Sequence, residues 1–360
     1  MLCPYPVGVA AGQRLKYEQY LDDWQRAGYA VTVSPFISLP MWDILYRPAN
    51  MRRKAWGTLK GFGRRIMDLF RIRDYNIVYV HMWVTPFRGN MFERLTRWLA
   101  RNLIYDIEDN LLAREPGIVS DSPHPVLRFL KSQTAARYLL READQVIVAS
   151  DFLQQAYLPV NRARRVALIP PSLDVDRFRP AAVAASERNG GVVTIGWTGT
   201  FSSKPFLDAL RPVWKELRKV ADFRLIVIGN FDYNLDDVSV EVVRWDRNAE
   251  VEQLLELDIG IYPLPNDDWA KGKAGLKIIQ YQAVGIPCVA SHAGLSPFQI
   301  SEGKTGFLVS NDAEWLNRLQ RLLQDSDLRR RMGAAARSNA VQRYSREAIA
   351  GQYRAILAQF

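Results

Sequence analysis

Cysteine is nearly absent from this chain: among 360 residues only Cys3 and Cys288 occur, far apart in sequence. That leaves no material for a disulfide framework or a cysteine-built zinc site. The three histidines, His81, His124 and His292, are equally dispersed and lack metal-ligand spacing, so no metal is expected. There is no internal repeat, no low-complexity tract and no apolar run long enough to cross a bilayer. The opening Met1-Leu2-Cys3-Pro4-Tyr5-Pro6 has neither the basic nor the apolar region of a signal peptide and reads as the tail of a first strand. These absences lead us to expect a reduced, cytoplasmic protein.

Hydrophobic residues make up 48% of the chain and charged ones 24%. That suffices for proper cores, and the length suits two domains better than one. The net charge is +10 and is unevenly spread. Residues 47–73 carry Arg47, Arg52, Arg53, Lys54, Lys60, Arg64, Arg65, Arg71 and Arg73, with Asp68 the only acid among them. Trp56, Leu59, Phe62, Ile66, Leu69 and Phe70 interleave at nearly helical spacing. Two readings stay open. The segment docks on an anionic membrane surface, at the inner face of the plasma membrane. Alternatively, its stripe packs on its own sheet and its arginines are merely solvated. No nucleic-acid-binding motif accompanies the charge, so nucleic acid is not expected as a partner.

Apolar runs and amphipathic runs alternate. Strands are expected at 30–36, 76–80, 103–107, 145–149 and 166–169, with helices at 14–27, 91–102 and 126–143 and over the basic segment. Residues 170–191 are rich in Pro, Ala, Ser and Gly and show little periodicity. The alternation then restarts, with strands at 192–197, 224–228, 240–243, 259–262, 287–290 and 307–309. Helices fit 205–220, 249–256, 276–284 and 313–324, and a polar helical tail fits 327–360. This is the pattern of an α/β protein with two domains, each built on a parallel sheet covered on both faces. The expected division is 1–172, a linker at 173–191, a second domain at 192–345, and a helix at 346–360 that crosses back to the first domain.

Four segments carry chemistry. Gly196-Trp197-Thr198-Gly199-Thr200-Phe201-Ser202-Ser203-Lys204 follows a strand and precedes a helix, where glycine, small hydroxyls and a lysine suit an anion. It lacks the P-loop pattern. A loop with Lys271, Lys273 and Lys277 leads into a helix at Gly275. Lysines at a helix N-terminus oppose its dipole, a placement that makes sense around a diphosphate, and Gln280 one turn on suits a ribose. The turn from Pro6 to Arg14 is made of small residues, including Gly12, that admit a ligand to the backbone. Finally, His81 ends one strand while Asp106, Glu108 and Asp109 end another, and ligands of open α/β sheets bind at such strand ends. Strand alternation places Asp106 and Glu108 on one face, with capping expected of Asp106 and function of Glu108 and Asp109. Asp174-Val175-Asp176 mimics a metal-binding pair but sits in the linker, so it is discounted.

These residues resemble family 4 of the glycosyltransferases, the group 1 glycosyl transferases with the GT-B fold. The resemblance is most specific over 272–291, followed by Glu302-Gly303-Lys304-Thr305-Gly306-Phe307-Leu308-Val309 at the expected distance. It extends to 258–264, to 169–180, and to the small-residue turn ending in Arg14 with Gly28-Tyr29-Ala30-Val31-Thr32-Val33 after the next helix. It implies two Rossmann-like domains facing across a cleft. It also implies a retaining, metal-independent transferase that uses no cofactor beyond its nucleoside-diphosphate sugar donor. By position Gly12, Arg14, Gly199, Thr200, Ser202, Ser203, Lys204, Lys273 and Lys277 would surround the diphosphate, and Gly275, Leu276 and Gln280 the nucleoside. His81, Glu108 and Asp109 would be the catalytic candidates. The expected acceptor is a glycan or a lipid-linked glycan of bacterial surface polysaccharide assembly. The chain departs from the family at Gly272 and Gln280, where many members carry a pair of glutamates. It departs again at Phe201 and Ser202, where many have arginine, and at Glu108, where many have histidine. A nucleotide-sugar epimerase of the same fold and a non-catalytic sugar-nucleotide-binding protein are the alternatives.

Overall fold

The computed structural model describes residues 1–45, 49–86, 89–113, 134–188, 190–236 and 238–360. Arg47, His124 and the first part of the helix expected at 126–143 lie outside the described residues. The described residues divide into two compact units: one holds those of 1–113 and 134–171 together with Ile349–Phe360, and the other holds those of Ser172–Ala348.

Six strands form the first sheet: β1 (Leu2–Cys3), β2 (Ser34–Pro35), β3 (Ile77–His81), β4 (Asn102–Asp106), β5 (Gln145–Val148) and β6 (Val166–Leu168). They lie in the order β2-β1-β3-β4-β5-β6, and every pairing is parallel. The strand expected at 30–36 shrinks to two residues because β1 offers only Leu2 and Cys3 as partners. Apolar clusters cover both faces of the sheet. One of them takes Ile349, Tyr353, Ile356 and Leu357 from the last helix, Arg346–Leu357. The helical tail is thus two helices, since Ser345 is extended and ends Ser326–Tyr344.

The second sheet comprises β7 (Thr194–Thr198), β8 (Arg224–Ile228), β9 (Val240–Val243), β10 (Ile259–Tyr262), β11 (Cys288–Ser291) and β12 (Gly306–Val309). Their order is β12-β11-β10-β7-β8-β9, again all parallel, which is the doubly wound arrangement of a Rossmann-like fold. The helix expected at 205–220 is two, Lys204–Asp208 and Arg211–Arg218. Pro212 has no N–H for the carbonyl of Asp208, so the helix must restart. The start of the expected linker packs on this unit: Phe178 is buried, and Arg337 donates to the carbonyls of Val175 and Phe178.

The basic helix, Met51–Arg71, is mounted the opposite way from a simple amphipathic reading. Gly61 faces the sheet, and a Cβ there would stand 2.7 Å from the Phe36 ring. Beside it Arg65 is fully buried, donating to the carbonyls of Val84, Ser34 and Cys3 and to the Asp68 carboxylate. Phe62 and Leu69 turn inward, while Trp56, Leu59, Ile66 and Phe70 are exposed. Both halves of the core-packing expectation therefore need correcting. Most of the stripe does not pack on the sheet, and one arginine is a buried anchor rather than a solvated charge.

Candidate active site

The strand order fixes where ligands can enter. In the first unit the sheet reverses direction of growth at β1 and β3, and in the second at β7 and β10. In open parallel sheets the crevice beyond the carboxyl ends of such strands is the binding position.

At that position in the first unit the chain builds a buried polar cluster. The register pairs His81 with Asp106 at the ends of β3 and β4. The helix expected at 14–27 is interrupted after Ala11–Arg14, and the interruption turns Lys16 and Tyr17 inward. Lys16 forms an ion pair with Asp106 in which neither side chain is exposed, and its Nζ is 3.6 Å from Glu108 Oε1. Tyr79 donates its hydroxyl hydrogen to the second oxygen of Asp106. His81 is buried, its Nδ1 3.6 Å from Asp106 Oδ2 and its ring 5.2 Å from that of Tyr17.

Charge coupling follows from this geometry. Burial would raise the Asp106 carboxyl, but Lys16 and His81 outweigh it and hold the group at about 2. Burial would likewise lower the Lys16 amine, yet Asp106 and Glu108 carry it upward. Glu108 is raised by burial against the pull of Lys16 and His81. It is the member of the cluster that retains solvent contact, with 27% of its side chain exposed. A Cβ at Gly12 would lie 3.5 Å from Glu108 Oε2, so the small-residue turn borders that carboxylate directly. The turn is held by Gln13, which bonds both backbone groups of Tyr5, and by Glu18, which accepts from the Gly8 N–H. Arg14 is buried on the same short helix. Asp109 follows Glu108, and its carbonyl accepts from the Tyr157 hydroxyl.

In the second unit the corresponding position holds Lys277. Its Nζ is 4.4 Å from the centroid of the Trp197 ring in β7 and 5.7 Å from that of Tyr262 in β10. Burial against these rings, with Lys273 nearby, lowers its amine from 10.5 to about 7. Gly199 makes this approach possible: a Cβ there would stand 2.3 Å from the Trp197 ring and 2.7 Å from Lys277 Nζ. Gly275 precedes the helix Leu276–Ala283 at φ +64, a left-handed conformation, and no side chain caps that helix end. Lys273 stacks on Trp269 at 4.0 Å. Lys271 is drawn off into an exposed pair with Asp268.

The remaining expected residues of the second unit have partners of their own. Thr200 and Ser203 close a capping box, with the Ser202 hydroxyl 2.9 Å from that of Thr200. Lys204 pairs with Asp208 at 2.6 Å and lies over Tyr233. Gln280 is buried and donates to Glu250 Oε1 at 3.2 Å. Asp174 accepts from the backbone N–H groups of Asp176 and Arg177, an ordinary local turn.

Sequence reasoning missed Lys16, the Trp197–Tyr262 clamp and Glu250. Lys16 carried a readable signal, a lone cation between Leu15 and Tyr17 close behind Gly12. The partnerships of Trp197 and Glu250 depend on strand order and left no local trace.

Two parallel Rossmann-like sheets, each with a polar centre at its point of reversal, define the GT-B class of protein. Residues 192–325 match the family described as Glycosyl transferases group 1, and this part of the chain is a group 1 glycosyltransferase domain. The chain is 28% identical over 300 residues to a D-inositol 3-phosphate glycosyltransferase of Corynebacterium jeikeium, spanning 74% of this chain and 68% of that protein. It is 24% identical to the protein of the same name from Nocardia farcinica, over 74% of this chain and 62% of that one. The chain thus spans about two thirds of the length of these relatives. Among solved structures, a glycosyltransferase from Rickettsia africae aligns with a TM-score of 0.67 at 15% identity, covering 99% of this chain and 96% of that one. Anabaena HepE in complex with UDP-glucose aligns with a TM-score of 0.66 at 16% identity, over 100% and 99% of the two chains. These structural likenesses establish the fold. Among the described residues no helix is long and apolar enough to cross a membrane.

Proposed function

We propose that the protein is a retaining, metal-independent glycosyltransferase. It moves a sugar from a nucleoside-diphosphate sugar to a hydroxyl of a glycan or lipid-linked acceptor in bacterial surface polysaccharide assembly, working in the cytoplasm at the membrane face. The observation that carries this reading is Lys277, an amine held over Trp197 and Tyr262 beside Gly199, at the strand ends where a Rossmann-like sheet receives its ligand. Burial and the nearby Lys273 lower this amine to about 7. A diphosphate supplies the missing charge and restores its proton.

The chemistry demands charge stabilisation above all. The bond from the anomeric carbon to the diphosphate oxygen breaks, the acceptor oxygen bonds to that carbon, and the hydroxyl proton passes to the departing diphosphate, on which negative charge grows. Lys277, Lys273 and Lys204, with the hydroxyls of Thr200, Ser202 and Ser203 and the uncapped start of Leu276–Ala283, neutralise that charge. Gly12 and Arg14, which the family resemblance assigns to the diphosphate, lie on the small-residue turn of the first unit. Gly275, Leu276 and Gln280 hold the nucleoside. Glu108, partly exposed and tied to Lys16, orients the acceptor hydroxyl or stabilises the cationic sugar, with Asp109 beside it and His81 behind. The description of HepE with UDP-glucose makes uridine donors the first to test.

The experiment is a thermal-shift screen against UDP-, GDP-, ADP- and dTDP-sugars with and without EDTA, followed by an assay for released nucleoside diphosphate. One donor that raises the melting temperature equally in EDTA and is turned over with a glycan acceptor supports the reading. No shift from any donor overturns it. Donor conversion without acceptor identifies an epimerase, and binding without turnover a non-catalytic binder.

A further inference from the structure

The helix Met51–Arg71 turns an unusual face to solvent. Trp56, Leu59, Ile66, Met67 and Phe70 are all exposed, Phe70 by 83%. At three- and four-residue spacing they form one stripe along a helix about 31 Å long. Isolated exposed apolar residues need no explanation, but a contiguous stripe of this size marks a surface meant for a partner. The stripe cannot relax by rolling inward. Gly61 is wedged against Phe36, and the buried Arg65 guanidinium donates to the carbonyls of Val84, Ser34 and Cys3.

The charges on this face identify the partner. Arg52, Arg53, Lys60 and Arg71 are exposed alongside the stripe, and Lys60 lies over the Trp56 ring. The one acid of the helix, Asp68, faces the other way, bonded to Arg65 and Ser34. Next to the helix, Arg73 covers the exposed ring of Trp98. A second copy of this chain would bring like charges against one another. The outward side of a single helix is convex, whereas peptides are received in grooves or along sheet edges. An anionic, deformable, planar surface with an apolar interior matches both the charge and the shape.

The geometry points to the solvent face of Met51–Arg71 as a docking site for an anionic lipid bilayer, with the aromatic and aliphatic stripe entering the headgroup boundary and the flanking arginines and lysine bound to lipid phosphates. This deepens the membrane-face part of the proposed function and stands independently of the transferase reading.

The test uses the full chain in co-sedimentation with phosphatidylcholine vesicles, with and without phosphatidylglycerol. The parent protein should pellet only with the anionic vesicles and be released by salt. Trp56→Gln/Phe70→Gln and Arg52→Gln/Arg53→Gln should each weaken binding by about tenfold or more. Both should keep the parent melting temperature and nucleotide response, because these side chains are exposed. Failure of the parent to pellet, equal binding to both vesicle types, or variants that pellet like the parent would each overturn the proposal. A concentration-dependent dimer that these substitutions dissolve would also overturn it. A lost nucleotide response in the parent would bear on the transferase reading alone.

Discussion

Lys16 and Asp106 lie 90 residues apart in the chain and meet as an ion pair with neither side chain exposed to solvent. A buried pair of this kind is costly to break from one side, since the survivor keeps its charge without a partner. Lys16→Met should therefore destabilise the first unit by about 3–5 kcal/mol. Lys16→Met/Asp106→Asn should be less damaging than the two single effects summed. Urea denaturation of the three variants decides the matter, and a single variant as stable as the parent would refute the coupling.

The same pair sets an acid limb. Asp106 is held at about 2, below its ordinary 3.8. A depressed carboxyl contributes stability that is fully present above its ordinary value and is lost as the pH falls through its folded value. Unfolding followed between pH 4 and pH 2 should show stability declining across that window. The decline should be weaker in Asp106→Asn.

Lys277 carries the opposite dependence. Its amine is lowered to about 7 from 10.5, so between those values the unfolded chain binds the proton that the folded chain has released. Stability contributed by this group therefore rises with pH across that interval. A bound diphosphate restores the charge, so binding at pH 8 should take up about one proton and weaken as the pH rises. Calorimetry in buffers of different ionisation enthalpy measures the uptake. A buffer-independent heat would count against Lys277 as the phosphate ligand. Lys277→Met should lower nucleotide affinity by about tenfold to a hundredfold.

Gly275 should tolerate no side chain. Its φ is +64, and a Cβ there would stand 1.9 Å from Gln299 Oε1. Gly275→Ala is expected to cost about 1–3 kcal/mol of stability and to weaken nucleotide binding, as read by chemical denaturation and thermal shift. An alanine variant with parent stability would show that the loop before Leu276 adapts freely.

The inverted helix makes a contrasting pair. Arg65→Met removes the guanidinium donors from the carbonyls of Val84, Ser34 and Cys3 and leaves Asp68 without its cation, and should cost about 3 kcal/mol. Trp56→Gln, at an exposed position on the same helix, should change stability by no more than about 0.5 kcal/mol. Melting curves that ranked the two the other way would contradict the orientation of the helix.

The amino-acid sequence by itself determined the alternation of strands and helices, and with it the two parallel sheets, because apolar period and turn residues are local properties. It also marked Gly199, Lys273, Lys277 and Gly275, whose residue types at a strand end or helix start carry their own meaning. It placed Glu108 two residues beyond Asp106 on one face of the pleat. Tertiary structure alone decided the rest. Period locates the stripe on Met51–Arg71 but cannot say which face turns inward, and that was settled by Gly61 fitting against Phe36 and by the carbonyls available to Arg65. The break that sends Lys16 to Asp106, the clamp of Trp197 and Tyr262 on Lys277, and the pairing of Gln280 with Glu250 all join residues distant in the chain. Their proximity follows from the order in which strands lie side by side, and the burial and charge coupling that give these groups their chemistry exist only once that order is formed.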